Sequence, residues 1–79
     1  MRNIEIGKTY KHFKGHIYKV IDIVYDADSK GEELEKVVIY ESIDDKKMKW
    51  AKKYDDFASI LDKEKYKDVK QTYRFEEIK

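Results

Sequence analysis

Seventy-nine residues make one small domain, and a chain of that size buries only about 60% of the surface its unfolded form exposes, so a deep catalytic cavity would remove core it cannot spare. The absence of cysteine excludes a disulfide framework and a thiolate metal site. No segment approaches the ~20 apolar residues of a membrane span or the apolar run of a signal peptide, so a soluble cytoplasmic protein with no membrane partner is expected.

The net charge of +1 is too balanced to announce a nucleic-acid partner, but it is unevenly spread. Residues 1–25 carry five Lys/Arg against two Asp/Glu, residues 26–45 two against eight, and residues 46–79 eleven against seven. Such asymmetry marks either a polar interaction surface or a well-solvated exterior.

In chain order, residues 1–6 form a lead-in expected to fray, and residues 7–79 form the domain. Thr9–Phe13 and His16–Tyr25 are β-rich runs flanking Lys14-Gly15, a two-residue connection whose glycine can take the positive φ of a tight hairpin. Within the second run Tyr18 and Val20 share a face, then Asp22 falls on that face while Ile21, Ile23 and Val24 are all apolar. A β-bulge near Ile21-Asp22 repairs the pattern and bends the strand. Asp26–Glu33 is a polar loop, and its acids lack the ligand pattern of a calcium loop. Leu34–Ile43 is apolar on both faces, with Val38 and Tyr40 on one and Val37 and Ile39 on the other, which predicts a central or helix-covered strand. Asp44-Asp45 turns the chain.

Lys46–Ala51 alternates, Met48 and Trp50 against Lys47 and Lys49, as a half-buried strand does. Asp55 or Asp56 can cap a helix running to about Leu61, with Phe57, Ile60 and Leu61 on one face. Asp62–Gln71 is charged and irregular, with Tyr66 and Val69 as candidate tethers. Thr72–Ile78 closes the fold as a last strand.

The run Gly7-Lys8-Thr9-Tyr10-Lys11-His12-Phe13-Lys14-Gly15-His16-Ile17-Tyr18-Lys19-Val20 resembles the opening of the bacterial domain-of-unknown-function family 1653, which reads Gly, then Tyr-Arg-His-Phe-Lys-Gly, then Tyr-Glu-Val. Tyr40, Trp50, Phe57 and Arg74-Phe75 follow in the family's order, so the resemblance covers about residues 7–78. The chain departs where the family usually has Val-Arg-Pro (here Ala51-Lys52-Lys53), a Pro before Arg-Phe (here Tyr73) and an Arg-His pair (here Tyr25-Asp26). The resemblance implies a small, mostly β domain without an established activity. The expected fold is mainly β, a small SH3-like barrel of about five strands with one short helix between the fourth and fifth.

Candidate chemistry is sparse. His12 and His16 flank the Gly15 turn with no third ligand beside them, whereas zinc takes three or four; no metal or other cofactor is expected. General acid–base work by His12 would need a partner and a pocket, and no nucleophile or phosphate loop is present, so the expected function is a non-enzymatic binding or interaction module for a protein or small-molecule ligand. The alternative is RNA or single-stranded nucleic acid on the Lys46–Lys53 strand, with Lys47, Lys49, Lys52 and Lys53 meeting phosphate beside an aromatic. Alternation turns Trp50 away from the Lys47–Lys49 row, which favours a core ring over an exposed stacking platform. The many Tyr and Phe are read as filling a narrow interior.

On an ideal strand Tyr10 and His12 share one face and Lys11 and Phe13 the other. Phe13 is the stronger core candidate, which leaves Tyr10 and His12 outside unless a bulge intervenes. Tyr73 and Phe75 then point inward and Arg74 outward, either in a plain ion pair or, with Tyr10 and His12, in a shallow ligand-binding patch for an anion or peptide.

Overall fold

The computed structural model describes residues 2–31, 33–44 and 48–79. Strands β1 (Thr9–His12), β2 (Ile17–Tyr25), β3 (Lys36–Ser42) and β4 (Lys49–Lys53) lead into a one-turn helix, α1 (Tyr54–Phe57), and a last strand, β5 (Phe75–Glu77). They form one open antiparallel sheet in the order β4-β3-β2-β1-β5. The sheet is strongly curled. The rings of Tyr40 on β3 and Phe75 on β5 lie 5.6 Å apart, although three strand spacings of a flat sheet would separate their backbones by about 14 Å.

The first turn decides which residues face inward. The Gly15 N–H donates to the His12 carbonyl (2.8 Å) and the His12 N–H to the His16 carbonyl (2.8 Å), with Gly15 at φ +102°. The connection is therefore three residues, Phe13-Lys14-Gly15, a tight turn followed by a positive-φ glycine, and not the expected two-residue Lys14-Gly15. Phe13 leaves the strand and enters the turn. Tyr10 pairs with Tyr18 and with Glu77 on the inner face and is 1% exposed, which corrects the expectation that it lies outside.

The bulge falls where the broken alternation of β2 requires one. Val20 pairs with Tyr40 and Asp22 with Ile39, which leaves Ile21 unpaired and returns Ile23 to the face of Val20, opposite Val38. β3 is bonded on both sides and sends Val38 and Tyr40 into the core. β4 lies at the sheet edge, and Asp45, Lys46 and Lys47 lie outside the described residues.

The helix is shorter than its apolar spacing predicts. Lys53 stands at its N-cap without a side-chain hydrogen bond, and Asp55 and Asp56 sit inside its first turn. After Ala58 the chain extends, so that Ile60 bridges Tyr73 and the Leu61 N–H donates to the Thr72 carbonyl (2.9 Å). Phe57 and Leu61 are buried while Ile60 is 66% exposed, because strand-like pairing breaks the helical face that would have grouped them. Tyr66 tethers the irregular segment as expected, its ring 4.6 Å from that of Phe13.

The lead-in is tied down rather than frayed. Ile4 is buried in the core, and its N–H donates to the Tyr54 hydroxyl (2.8 Å). Among the described residues no helix is long and apolar enough to cross a membrane.

Candidate functional site

The inner face of the sheet is packed by Tyr10, Val20, Val38, Tyr40, Phe57 and Phe75, but the rings do not stop where the core stops. His12, the last residue of β1, pairs with Phe75 and meets its ring edge-on (4.9 Å, 73°). It also lies against Phe13 in the turn (4.4 Å). Half-buried Tyr18 of β2 contacts Phe75 (5.9 Å) and Tyr40 (5.1 Å) edge-on. Tyr18 pairs with Ser42, whose Oγ accepts from the Trp50 indole Nε1–H (3.4 Å). An aromatic ribbon thus runs from Tyr40 on β3 through Tyr18, Phe75 and His12 to Phe13 in the first turn, and Trp50 of edge strand β4 joins it through Ser42 rather than by ring contact.

Cations border the ribbon. The Arg74 guanidinium lies 5.7 Å from the centre of the Phe13 ring and Lys14 Nζ 5.8 Å from it. Lys52 stands two residues beyond Trp50 and so on the same face of β4. Among the described residues no carboxylate lies within ion-pairing distance of any of the three; the ion pairs join Lys8 to Glu5 and Glu77. The plain ion pair expected for Arg74 is therefore replaced by a contact of its Nε with Ser59 Oγ (3.4 Å).

His12 records this environment. Burial, then the electrostatic influence of Arg74, Lys14, Lys52 and His16, pushes its pKa down from 6.5 to about 4, and its Nδ1 accepts the Lys14 N–H (3.1 Å), which requires the neutral ring. The unfolded chain takes up this proton near 6.5 and the folded chain only near 4. Its stabilising contribution is fully present above 6.5 and is lost as pH falls across that window, because the unfolded state then binds more protons. His12→Gln is expected to lose less stability than the wild type between neutral pH and about pH 5, read as the shift in urea midpoint; equal losses would contradict the neutral, enclosed ring.

The predicted site residues divide. His12 and Arg74 come together around Phe13, whereas Tyr10 lies in the core with its hydroxyl accepting the Glu5 N–H (3.1 Å) and cannot join an outer patch. Lys52 joins the ribbon; Lys49 and Lys53 alternate onto the opposite face, and Lys47 lies outside the described residues. Tyr18 was missed although its place was legible, since its alternation with Val20 already put it on the inner face at the strand's open end.

Trp50 does share the core face of Tyr40, its partner, yet it is 44% exposed. Trp50→Ala, which would cost about 3–5 kcal/mol for a fully buried ring, is therefore expected to cost about 1 kcal/mol or less, measured by urea denaturation followed by circular dichroism. A cost above about 3 kcal/mol would return the ring to the core.

Away from the ribbon, a concavity of about 780 Å³ lies between the β2–β3 loop and α1, lined by residues of both charges that include Arg2, Glu35, Lys36 and Asp55. Its Arg2 is already committed to the backbone carbonyls of Phe57, Ala58 and Phe75.

Residues 8–77 match the model of a family described as "Protein of unknown function (DUF1653)". No curated protein and no solved structure matches the chain.

Proposed function

We propose that this chain, which belongs to the DUF1653 family, is a non-enzymatic binding module that takes an anionic ligand on the ribbon running from Trp50 to Phe13. The observation that carries this reading is the placement of Arg74 and Lys14 against the Phe13 ring with Lys52 on the same face of the sheet as Trp50, no carboxylate among the described residues lying within ion-pairing distance of the three. Three cations around a neutral histidine attract negative charge, and the rings add apolar contact area. The ribbon's titratable group points away from catalysis: His12 has its Nδ1 occupied by a backbone donor and is held neutral, with cations as its electrostatic neighbours.

We also read the fold as an SH3-like barrel. The return of β5 to the side of β1, the short helix between β4 and β5 and the strong curl of the sheet support that reading.

Inorganic tripolyphosphate tests the site with charge alone. It is expected to shift the amide resonances of Phe13, Lys14 and Arg74 and the indole N–H resonance of Trp50. No shifts, or shifts confined to Lys49 and Lys53 on the opposite face, would overturn the assignment.

A further inference from the structure

We infer that the ligand of this ribbon is single-stranded nucleic acid, with bases stacked on Trp50 and Tyr18 and phosphates held by Lys52 at one end and by Arg74 and Lys14 at the other. The inference rests on the binding-module reading above and names its ligand class. A free inorganic anion would use only the cations. The ribbon in addition presents ring surface to solvent, and an exposed indole and a half-buried phenol, linked through Ser42, suit the flat faces that every base possesses.

Two ring platforms and three cations suit a short chain rather than a single nucleotide: Trp50 and Tyr18 offer separate faces, and the curl that brings Lys52 within electrostatic reach of His12 lets one strand of about two or three nucleotides meet the cations of β4 and of the first turn. A duplex keeps its bases stacked on one another and cannot offer them to Trp50 or Tyr18. The Lys49 and Lys53 face, the other basic surface of β4, carries no large ring of that strand, so the ribbon is the better platform.

Trp50 is the chain's single tryptophan, and its fluorescence reports on this site alone. Short oligo(dT) and oligo(U) strands are expected to quench it and to bind at least tenfold tighter than tripolyphosphate; a duplex is expected to gain nothing over tripolyphosphate. Whichever of the two strands binds tighter distinguishes DNA from RNA as the source of the same chemistry. With a labelled strand read by polarisation, Trp50→Ala is expected to weaken binding roughly 5- to 150-fold and Trp50→Phe to restore part of the loss.

Three phosphate contacts predict a log–log salt slope of about −2, reduced in magnitude by about 1.4 in the Lys52→Gln, Arg74→Gln double variant. Lys49→Gln with Lys53→Gln is expected to leave affinity unchanged. If tripolyphosphate moves the ribbon's resonances but single strands bind no tighter, the nucleic-acid inference falls and the binding module stands. If neither binds, both fall. Single-strand binding that survives Trp50→Ala, or that is lost with Lys49 and Lys53, overturns the inference by placing the ligand on the other face.

Discussion

Phe57→Ala is expected to leave the domain largely unfolded under mild conditions. The ring is fully buried, stacks on Phe75 at 4.0 Å with the planes 8° apart, and takes the edges of Tyr10 and Tyr40 at 5.4 and 5.2 Å. Truncating such a ring costs about 3–5 kcal/mol, comparable with the lower end of the 5–15 kcal/mol that holds a typical domain together. The cost cannot be reduced by collapse, because the four rings come from β1, β3, α1 and β5, and closing the cavity would require all of those elements to move. A single helical turn has no stability of its own, so α1 loses its reason to dock once the ring is gone. Phe57→Leu, which keeps most of the volume, is expected to retain cooperative unfolding with a smaller loss. Circular dichroism with urea titration decides the matter: an Ala variant within about 1 kcal/mol of the wild type would mean that Phe57 is not the centre of the core.

Parity along a strand is legible in a sequence, whereas the length of a turn and the cover over a face are not. The bulge in β2 was legible because only one inserted residue reconciles Val20, Asp22 and Ile23 with a single buried face, and the structure places the register shift there. The two faces of β3 and the return of the last strand were legible for the same reason of parity. The orientation of β1 was misread because the turn was counted as two residues. One added residue moved Phe13 out of the strand, and Lys11 between Tyr10 and His12 was the signal that those two faced inward.

Trp50 teaches a different lesson. Alternation assigned it to the right face, but alternation reports orientation and not coverage. β4 is an edge strand, and there the inner face runs out from under the core. The ribbon was illegible for that reason: its members come from both hairpin strands, the β3 end, edge strand β4 and β5, and only the curl of the sheet brings Lys52 within electrostatic reach of His12. The resemblance read from residues 7–78 is matched by the family model over residues 8–77, though the lead-in before it carried more structure than its sequence announced.

That structure centres on Arg2, whose removal is the second large expected effect. Its Nε donates to the Ala58 carbonyl (3.2 Å) and its Nη2 to the carbonyls of Phe57 and Phe75, while the guanidinium lies over the Tyr73 ring at 4.0 Å. One planar fork thus joins the N-terminal segment to the end of α1 and to β5, satisfying carbonyls that the one-turn helix leaves open. Burial lowers its pKa from the ordinary guanidinium value, which nearby Tyr73 partly counteracts. Charge-assisted hydrogen bonds contribute about 1.5–3 kcal/mol each when well made, and those made by a half-buried side chain less, so Arg2→Gln is expected to cost about 2–3 kcal/mol. At roughly 4–8 °C per kcal/mol for a domain of this size, the melting temperature falls by about 10–20 °C. Arg2→Lys is expected to recover less than half, since an ammonium can neither span the carbonyls nor stack on Tyr73 in the same way. Because the partners are carbonyls rather than carboxylates, the loss persists at high salt, where an exposed ion pair would be screened. A Lys variant as stable as the wild type, or a loss that vanishes with added salt, would show that Arg2 acts as a charge and not as a clasp.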